Sequence, residues 1–575
     1  MPSLALKDGK LALYFRYDPH YVETVRSIVG REFNKVYKCW MFPARAEVLN
    51  EITIKFPGVQ VAPAVSEAVL QEALREQTVY NAKVAGWKDV LPVEPMPIKT
   101  KPFKHQILGY NIGLDIPNMA LLLEQGCGKT LTAIAVMGRR FLRGEIKKVL
   151  VVAPASVVSA WAKDEYGEFA VHAGFPYDVR ALQGPVDKRI EAMRTWEQNP
   201  RVLQVAVINY EATWRMEDTL AWWRPDMIIC DESQRIKAPG ARQSKVMHNL
   251  GKRAKYRLIL TGTPVTQGPL DLFSQYKFLD PGIFGTSYTA FRARYAVMGG
   301  PDNRIVVATK NLPDLVERAH RVAFRVTKKD ALDLPEFTDQ VRFCELEPGA
   351  REVYSDLVKE SVAYIRESVG PDGTMDKIVA ANVLVRLLKL TQITGGYVKS
   401  DDAWQLQEKA AGAICVSKAK LQLLAETMGD LLIEADKKVV IFARFRAEIA
   451  AIEELLTGMN TGYTVIHGDV PMNQRGERVT AFQHDPACRV FVAQIQTAGL
   501  GITLTAADTA IFYSLDFSFA NYDQCRARIH RIGQKNTCTY LHLLADDTVD
   551  ERIMKVLKNK KSVADAVVDN WKELF

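Results

Sequence analysis

The chain has 575 residues, of which 48% are hydrophobic and 25% charged, with 75 Lys and Arg against 67 Asp and Glu. This composition is ordinary for a globular protein and excludes a disordered, collagen-like or coiled-coil chain. The net charge of +8 is mild for this length, so it permits a nucleic-acid partner without identifying one.

The eight cysteines are scattered and none forms a CxxC pair, which argues against a zinc ribbon or a dithiol motif. Few, unpaired cysteines suit a reducing compartment. The N-terminal segment MPSLALKDGK lacks a signal-peptide core, and no apolar run is long enough to span a bilayer. We therefore expect an intracellular protein without membrane association, in the cytoplasm of a bacterium or virus-infected cell, or in the nucleus if the source is eukaryotic.

The predicted elements divide the chain into five regions. Residues 1–90 contain alternating strand and helix patterns, which predict a small α/β module. Four prolines in 91–102 predict an extended linker. In 103–284 and again in 416–575, short apolar strands alternate with helices, which is typical of a parallel sheet covered on both faces. The range 285–415 is mostly helical and is interpreted as insertions and the connection between two lobes.

The candidate strands of the first lobe are 120–123, 148–153, 204–208, 226–230 and 257–260, and those of the second are 438–442, 463–466, 490–493, 509–513 and 540–544. A final helix is predicted to start at Thr548, because Thr548-Val-Asp-Glu551 matches a capping box.

A phosphate-binding loop is predicted where Gly126-Cys-Gly-Lys-Thr130 follows an apolar strand and precedes a helical pattern that starts at Leu131. Glycines let backbone N–H groups turn toward an anion, and the start of a helix adds partial positive charge. We expect Lys129 to reach the β- and γ-phosphates and Thr130 to bind Mg²⁺. The longer GxxxxGK[ST] pattern needs glycine where this chain has Leu123, so a glycine turn with a surface Lys-Thr pair is the alternative.

An acidic pair follows about a hundred residues later, in Met227-Ile-Ile-Cys-Asp-Glu-Ser-Gln234. Acidic residues at the carboxyl end of a buried parallel strand lie where open sheets bind ligands. Asp231 can hold Mg²⁺, and Glu232 can orient and deprotonate the attacking water. An ordinary polar strand end with a helix cap is the alternative.

Three arginines occur near the end of the second lobe. Arg528 and Arg531 are three residues apart and would share one helix face, whereas Arg526 would point elsewhere. Because guanidinium groups bind phosphate bidentately, Arg528 and Arg531 are candidates to contact the γ-phosphate held by the other lobe. A basic, solvated helix is the alternative.

These motifs, in this order and spacing, resemble the Swi/Snf-type branch of the superfamily-two DNA translocases from Phe103 to the C-terminus. The resemblance implies an α/β fold with two RecA-like parallel-sheet lobes and helical insertions, preceded by the small α/β module. The segments that carry it are Lys104–Gln106, Glu124–Thr130, Val151–Pro154 with Trp161, Ile208–Tyr210, Asp231–Gln234, Leu260–Pro264, Leu270–Phe273, Ser417–Lys420, Val440–Phe442, Ile466–Asp469 with Arg475, Thr497–Leu504 and Gln524–Gln534.

The resemblance also implies which residues contact ATP. The implied nucleotide-binding residues are Gln106 (on adenine), Gly126, Gly128, Lys129, Thr130, Leu131, Gln234, Gly499 and Gly501. Two departures stand out: the family usually has histidine where this chain has Gln234, and Asp516–Asn521 replaces a Trp-Asn-Pro element. Glutamine can still hydrogen-bond across to the 260–264 segment or to the arginine segment, so hydrolysis is not excluded.

DNA contacts are predicted in a basic run between Ser233 and Arg257, which contains no acidic residue. Clustered positive charge is typical of contact with the phosphate backbone, with little sequence preference. A solvated helical face is the alternative. The residues assigned to DNA from this run are Arg235, Lys237, Arg242, Lys245, Lys252 and Arg253.

The segment Phe33–Phe42 is similar to the signature of the HARP domain, with Trp40 and Phe42 at the matching spacing and Phe33-Asn34 in place of the usual pair. That domain accompanies annealing helicases that act on branched DNA. Exposed aromatics beside Lys38 can stack on unpaired bases, and Trp40 and Lys38 are the candidates. The alternative is that Trp40 and Phe42 form the core of the module.

The sequence thus predicts an ATP hydrolase that depends on DNA and Mg²⁺, a double-stranded DNA translocase that acts at forks or branched DNA in replication, repair or recombination. A strand-separating DNA or RNA helicase and a non-enzymatic scaffold are the alternatives. A restriction-type motor with its own nuclease is disfavoured, because no carboxylate-lysine nuclease pattern is found.

Overall fold

The computed structural model describes residues 1–155, 157–163, 167–299, 305–331, 334–368, 377–399, 413–497 and 502–568. The chain divides into two compact units. The first contains Met1–Val297 and Ala308–Ala331, and most of the second lies within 334–563. Among the described residues, none of the helices combines the length and apolar character needed to cross a membrane.

The N-terminal module is a five-stranded sheet in the order β3-β4-β2-β1-β5, with three helices. Its apolar core includes Leu11 and Leu13 of one strand, which alternate toward the helices, as half-buried strands do. Its elements are β1 (Ser3–Lys7), β2 (Lys10–Tyr14), α1 (Pro19–Ser27), β3 (Glu32–Asn34), β4 (Cys39–Pro43), α2 (Ala46–Lys55), β5 (Gln60–Val61) and α3 (Pro63–Ala85).

The linker predicted at 91–102 contains no helix or strand, and it packs along the first helix of the following lobe. The side chain of Asn111 on that helix donates to the Leu91 carbonyl oxygen at 2.8 Å and accepts from the Val93 N–H at 3.0 Å. These two bonds satisfy backbone groups that a proline-rich segment cannot pair with itself.

The first lobe is built on a seven-stranded sheet in the order β14-β6-β11-β10-β7-β9-β8, and every pairing is parallel. Its central strands are continuous apolar runs because helices cover both faces. Its elements are α4 (Lys104–Asp115), β6 (Asn118–Leu123), α5 (Lys129–Leu142), β7 (Lys148–Ala153), α6 (Val158–Ala162), α7 (Glu168–His172), β8 (Tyr177–Ala181), α8 (Val186–Arg194), β9 (Leu203–Asn209), α9 (Tyr210–Thr213), α10 (Glu217–Trp223), β10 (Met227–Asp231), α11 (Arg242–Gly251), β11 (Tyr256–Leu260), α12 (Leu272–Leu279), α13 (Pro281–Phe284), α14 (Tyr288–Tyr295), the ribbon β12 (Ala296–Gly299) with β13 (Ile305–Thr309), α15 (Leu312–His320), β14 (Ala323–Val326) and α16 (Lys328–Ala331).

The second lobe has a six-stranded parallel sheet in the order β15-β22-β21-β18-β20-β19. Both lobes are therefore RecA-like parallel sheets, as the sequence predicts. The elements of the second lobe are β15 (Phe337–Cys344), α17 (Pro348–Ser368), α18 (Lys377–Gly395), β16 (Tyr397–Lys399), β17 (Ala413–Cys415), α19 (Ala419–Leu431), β18 (Val439–Ala443), α20 (Arg446–Gly458), β19 (Tyr463–Ile466), α21 (Met472–His484), β20 (Val490–Gln494), β21 (Thr509–Phe512), α22 (Phe519–Arg526), β22 (Cys538–Ala545) and α23 (Val549–Val568).

Strands also lie within the range 285–415, which is interpreted from sequence as helical insertions and a connection. Besides the two-stranded ribbons β12–β13 and β16–β17, two of these strands extend the large sheets. β14 pairs with β6 at the edge of the first sheet, and β15 pairs with β22 at the edge of the second. Both were missed because they lack a continuous apolar run: β14 contains Arg325, and β15 contains Asp339 and Arg342. The two sheets thus extend further into this range than the sequence indicates.

Candidate nucleotide-binding site

The phosphate loop follows β6 and ends where α5 begins at Lys129. Gly126 and Gly128 have φ values of 89° and 79°, in the left-handed region that favours glycine. A Cβ atom on Gly128 would lie 1.9 Å from Nε2 of Gln106, so a side chain there would displace the Gln106 amide from the loop. The glycines that the sequence assigns to phosphate binding are therefore required by the shape of the loop itself.

The first turn of α5 carries the residues predicted to hold phosphate and metal. Lys129 Nζ donates to the Leu123 carbonyl oxygen at 3.2 Å, so the ammonium group lies against the loop. Thr130 is half-buried and Leu131 is buried. The free N–H groups of this turn add partial positive charge in the same place, which suits a polyphosphate.

Gln106 on α4 is hydrogen-bonded to the phosphate loop and is 3% exposed. Its Oε1 accepts from the Phe103 N–H at 2.9 Å, and its Nε2 donates to the Cys127 carbonyl oxygen at 3.3 Å. His105 Nε2 lies 2.9 Å from that same carbonyl oxygen. The adenine contact expected of Gln106 stays a prediction, and the observed role is to hold the loop.

The acidic pair lies at the carboxyl end of β10. In the sheet order, β11 alone separates β10 from β6, so the pair and the phosphate loop share one edge of the sheet. Asp231 is 6% exposed, and its Oδ2 accepts from Trp161 Nε1 at 3.0 Å while its Oδ1 accepts from the Glu232 N–H at 3.0 Å. Glu232 has φ 50° and ψ 56°, a left-handed conformation that costs about 1 kcal/mol or more for a non-glycine residue.

The pKa of Asp231 is raised to about 7. Burial is the main cause and the neighbouring charge of Glu232 adds to it, whereas the Trp161 hydrogen bond and the charge of Lys129 act in the opposite direction. A carboxyl group of this kind favours a nearby cation, because the cation would stabilise the ionised form that burial disfavours.

Glu232 and three other polar side chains, from three strand ends, form one hydrogen-bonded cluster. Gln125 Nε2 donates to Glu232 Oε1 at 3.2 Å, and Gln234 Nε2 donates to Oε2 at 2.9 Å. Thr261 Oγ1 donates to Gln234 Oε1 at 2.8 Å. Gln234 therefore makes the bond toward the 260–264 segment that the sequence analysis expects of it, and its role toward the nucleotide stays a prediction.

The donor set at this sheet edge suits Mg²⁺–ATP. A hydroxyl group on Thr130 and a buried carboxylate on Asp231 are the oxygen ligands that Mg²⁺ prefers when it bridges a protein and phosphates. Lys129 and the N–H groups at the start of α5 supply the positive charge that binds the phosphates. These residues therefore fit the Mg²⁺–ATP that the sequence predicts.

In the second lobe, the arginine segment differs in shape from the expected helix. α22 ends at Arg526, and Arg528 and Arg531 lie on the turns that follow. Both nonetheless point to one place, because Arg528 Nη1 and Arg531 Nη1 lie 3.5 and 3.4 Å from the Ile502 carbonyl oxygen. Gly499 and Gly501, which the sequence assigns to the nucleotide, lie outside the described residues, directly before Ile502.

Arg526 has a structural role in the second lobe. Its guanidinium group pairs with both carboxylate oxygens of Asp339 on β15 and lies 4.0 Å from the ring centroid of Tyr540 and 4.9 Å from that of Phe337. It thus fixes the edge strand to β22, and it does not share the direction of Arg528 and Arg531.

The basic run of the first lobe divides into paired and open side chains. Arg235 lies 3.7 Å from Glu211, and Lys237 lies 3.7 Å from Asp271 and also bonds Thr266. The remaining assigned side chains are exposed on α11 or directly after it: Arg242, Lys245, Lys252 and Arg253. These four are the more open candidates for DNA phosphates, and the assignment itself stays a prediction.

Arg257, at the end of the same run, is half-buried and bonds backbone groups of the first lobe. Its guanidinium group donates to the carbonyl oxygens of Leu279 at 2.7 Å and Ala254 at 3.2 Å. The guanidinium group of Arg257 therefore stabilises the fold of the first lobe.

In the N-terminal module, the β3–β4 hairpin carries the residues assigned to unpaired bases. Trp40 is half-buried against the module core, with Phe33 packed edge-on at 5.1 Å between ring centroids. Phe42 is fully buried, so the alternative that it forms the core is correct for this residue. Lys38 is exposed at the turn, with φ 50°, and Phe33 is 48% exposed.

Sequence reasoning missed three residues that the structure brings to functional positions. Gln125 and Thr261 lie inside recognised motifs, but only the sheet order shows that Gln125 bonds Glu232 and that Thr261 bonds Gln234 beside it. Arg45 has no sequence signal, since it is an isolated arginine before a helix. It is 5% exposed and joins the N-terminal module to the first lobe.

Comparison with known protein families identifies the class. Residues 39–394 match the family model of the SNF2-related domain, and residues 419–533 match that of the helicase conserved C-terminal domain. The first match covers more than half of the 575 residues. The chain therefore belongs to the SNF2-related family.

Three relatives differ in how much of this chain their similarity covers. The DNA repair and recombination protein RDH54 of Saccharomyces cerevisiae is 26% identical over 487 residues, which are 78% of this chain and 51% of that protein. The RAD54-like DNA repair and recombination protein of Gallus gallus is 25% identical over 78% of this chain and 64% of its own. The Caenorhabditis elegans homolog of SWI/SNF-related matrix-associated actin-dependent regulator of chromatin subfamily A-like protein 1 is 26% identical over 96% of this chain and 73% of its own.

The chain spans about half the length of the yeast relative. Among solved structures, the Sulfolobus solfataricus SWI2/SNF2 ATPase core in complex with dsDNA is 25% identical, covers 84% of this chain and 96% of its own, and has a TM-score of 0.38.

Proposed function

We propose that the protein is an ATP-dependent translocase that moves along double-stranded DNA. The observation that carries the proposal is the convergence of Lys129, Asp231 and Glu232 at one sheet edge of the first lobe, with the left-handed glycines of the phosphate loop beside them. Membership of the SNF2-related family supports the same function.

Each residue of this edge has a part in hydrolysis. Lys129 and the first turn of α5 bind the β- and γ-phosphates, and Thr130 and Asp231 hold Mg²⁺. When bound, Mg²⁺ neutralises charge on the phosphates. Glu232 orients the attacking water and accepts its proton, because its carboxylate is held between two amide groups that cannot take a proton themselves.

The second lobe completes the proposed reaction. Arg528 and Arg531, which turn toward one carbonyl oxygen, supply the positive charge that stabilises the transferring phosphoryl group. A conformational change that alternates with grip on DNA then moves the protein along the duplex.

The DNA substrate is proposed from charge and from relatives. The exposed cations on and after α11 suit a phosphate backbone, with strong dependence on salt. The names of the yeast and chicken relatives attribute DNA repair and recombination to those proteins. Because the named relatives are eukaryotic, they favour the nuclear alternative over a bacterial or viral cytoplasm.

The N-terminal module is proposed to direct the motor to forked or branched DNA, as in the HARP-domain branch. Identity with the C. elegans relative extends over 96% of this chain, so it must include part of the module, whereas the yeast and chicken relatives cover 78%. The exposed Phe33 and Lys38 of the hairpin suit stacking on unpaired bases.

The module is fixed to the first lobe through Arg45. Its Nη2 lies 3.0 Å from Asp280 of the lobe and its Nε lies 3.3 Å from Glu76 of α3. Burial raises the pKa of Asp280, but the charge of Arg45, the hydrogen bond from the Gly282 N–H and the charge of Arg257 together outweigh it and leave this pKa below its usual value. Glu47 of α2 pairs with Arg321 of the lobe. DNA that is bound to the module is therefore held in a fixed position relative to the first lobe.

DNA-stimulated ATP hydrolysis tests the proposal. We expect wild-type hydrolysis to rise with duplex DNA and to rise further with forks, and Lys129→Ala to abolish it while Lys188→Ala, an exposed lysine on α8, does not. Hydrolysis that ignores DNA, or that is equal in wild type and Lys129→Ala, would contradict the proposal and favour the scaffold. Displacement of a triplex strand without separation of the duplex would distinguish a translocase from a strand-separating helicase.

A further inference from the structure

The phosphate loop is tied to the proposed base by a side chain that the motif does not explain. Gln125 follows β6 in the loop and is 9% exposed. Its Nε2 donates to Glu232 Oε1 at 3.2 Å, which joins the end of β6 to the end of β10 across the intervening strand β11.

The direction of each hydrogen bond around Glu232 can be followed. The Thr263 N–H donates to Thr261 Oγ1 at 3.0 Å, which leaves the Thr261 hydroxyl proton for Gln234 Oε1. Since Oε1 of Gln234 accepts, its Nε2 must face Glu232 Oε2 as a donor. The two carboxylate oxygens of Glu232 thus accept from amides on opposite sides.

Two donors are needed to fix a carboxylate. The last torsion of a glutamate is broad, so a single hydrogen bond leaves the carboxylate plane free to turn. Bonds to both oxygens hold the plane, while each oxygen retains a further acceptor site for water. Gln234 alone would leave Oε1 without this restraint.

We propose that Gln125 is a positioning residue for ATP hydrolysis, which aligns the Glu232 carboxylate with the phosphate loop. This inference rests on the proposed function. Because Gln125 lies next to Gly126, any shift of the loop around a triphosphate is transmitted to the orientation of the base. Its contribution acts through Glu232 and does not involve contact with the reacting atoms.

The variant Gln125→Leu removes the donor while keeping a side chain of similar size. We expect kcat for DNA-stimulated hydrolysis to fall about tenfold to a hundredfold, because a misplaced catalytic group loses rate of this order. The KM for ATP, the binding of a fluorescent nucleotide and the melting temperature should stay near wild type. Gln183→Leu, which removes an exposed amide bonded to Ser159, is the matched control and should keep the wild-type kcat.

A second variant separates positioning from packing. In a Glu232→Gln background the base is absent, so adding Gln125→Leu should not slow the residual hydrolysis further. An unchanged kcat in Gln125→Leu, a change in KM alone, or an equal further loss in the Glu232→Gln background would overturn the inference. Wild-type protein that does not hydrolyse ATP would remove the proposed function as well, whereas an active wild type with an unaffected Gln125→Leu removes this inference alone.

Discussion

The sheet edge of the first lobe and the β3–β4 hairpin of the N-terminal module both carry residues assigned to function, but they hold them differently. Asp231 and Glu232 are fixed by donors from two other segments of the chain, at Trp161 and Gln125, and by the nearby Gln234. Phe33 and Lys38 are exposed on a short hairpin. Catalytic groups such as Glu232 must be held in one orientation. Residues that contact a large, variable ligand must instead be exposed, as Phe33 and Lys38 are.

The comparison predicts different consequences of substitution. Changes at the sheet edge should remove hydrolysis while nucleotide and DNA still bind, because the affected groups act on the transition state. Changes in the hairpin should alter the choice of DNA and leave hydrolysis on duplex DNA intact. Arg45 lies between the two regions and should affect how the module is held.

Among the residues of these two regions, the largest effect is expected for Glu232→Gln. Loss of a general base lowers kcat by about 10²- to 10⁴-fold. Binding of a fluorescent ATP analogue and of duplex DNA should remain, since the side chain keeps its size and its hydrogen bonds to one amide. A steady-state ATPase assay beside nucleotide titration measures both, and a variant that hydrolyses ATP at the wild-type rate would show that Glu232 is not the base.

The next effect is expected for Arg45→Met, which leaves the half-buried Asp280 and Glu76 without their cation. Breaking a fully buried pair costs about 3–5 kcal/mol, and a smaller loss is expected here because both carboxylates keep some contact with solvent. Amide hydrogen exchange of the full chain should show α2 and α3 opening more readily, with the strands of the first lobe unchanged.

Arg75→Met is the control for Arg45, because Arg75 pairs with Glu72 within α3 and its side chain is 38% exposed. Its loss should change exchange little, since exposed pairs contribute little to stability. Equal exchange in the Arg45 variant and wild type would contradict the anchoring role of Arg45.

A pH dependence follows from Asp231. Its pKa of about 7 means that the carboxyl is increasingly protonated as pH falls below 7, and Mg²⁺ binds only the ionised form. Affinity for Mg²⁺–nucleotide should therefore fall with decreasing pH, by up to about tenfold per pH unit, and binding below pH 7 should release a proton. Calorimetry in buffers of different ionisation enthalpy measures the release, which should be smaller in Asp231→Asn. Equal release in both proteins would rule out this role.

The smallest effect is expected in the hairpin. Phe33→Ala should weaken binding to forked DNA with a single-stranded gap by about 1–3 kcal/mol if one base stacks there, and should leave duplex binding unchanged. Lys38→Ala should lower the salt dependence of fork binding by about one ion. Titration by fluorescence anisotropy at several salt concentrations checks both, and an equal loss on duplex and fork would refute the selective role of the hairpin.

The first lobe shows how much of this could be predicted from sequence. Continuous apolar strands and the glycines at 126 and 128 define the sheet and the loop locally, so both were found. The bond from Gln125 to Glu232 joins residues that are 107 positions apart and depends on the strand order, which no local pattern contains. Edge strands such as β15 were missed because half-exposed positions there carry polar side chains.

The arginines of the second lobe show a different limit. Spacing on an ideal helix indicated that Arg528 and Arg531 share a direction, and they do, although the helix ends at Arg526. The shared direction comes from the turns after the helix, which sequence periodicity cannot describe. Arg526 was set apart correctly, but its stacking on Tyr540 and pairing with Asp339 required the strand β15.

Hydrolysis of a triphosphate bound by Lys129 is expected to require Arg528 and Arg531 as well. Single-turnover hydrolysis of ATP by DNA-bound Arg531→Ala tests it most directly, because Arg531 is the less buried of the two arginines. We predict a rate at least about 10³-fold below wild type, with nucleotide and DNA affinity retained. Hydrolysis by Arg531→Ala at the wild-type rate would contradict the account.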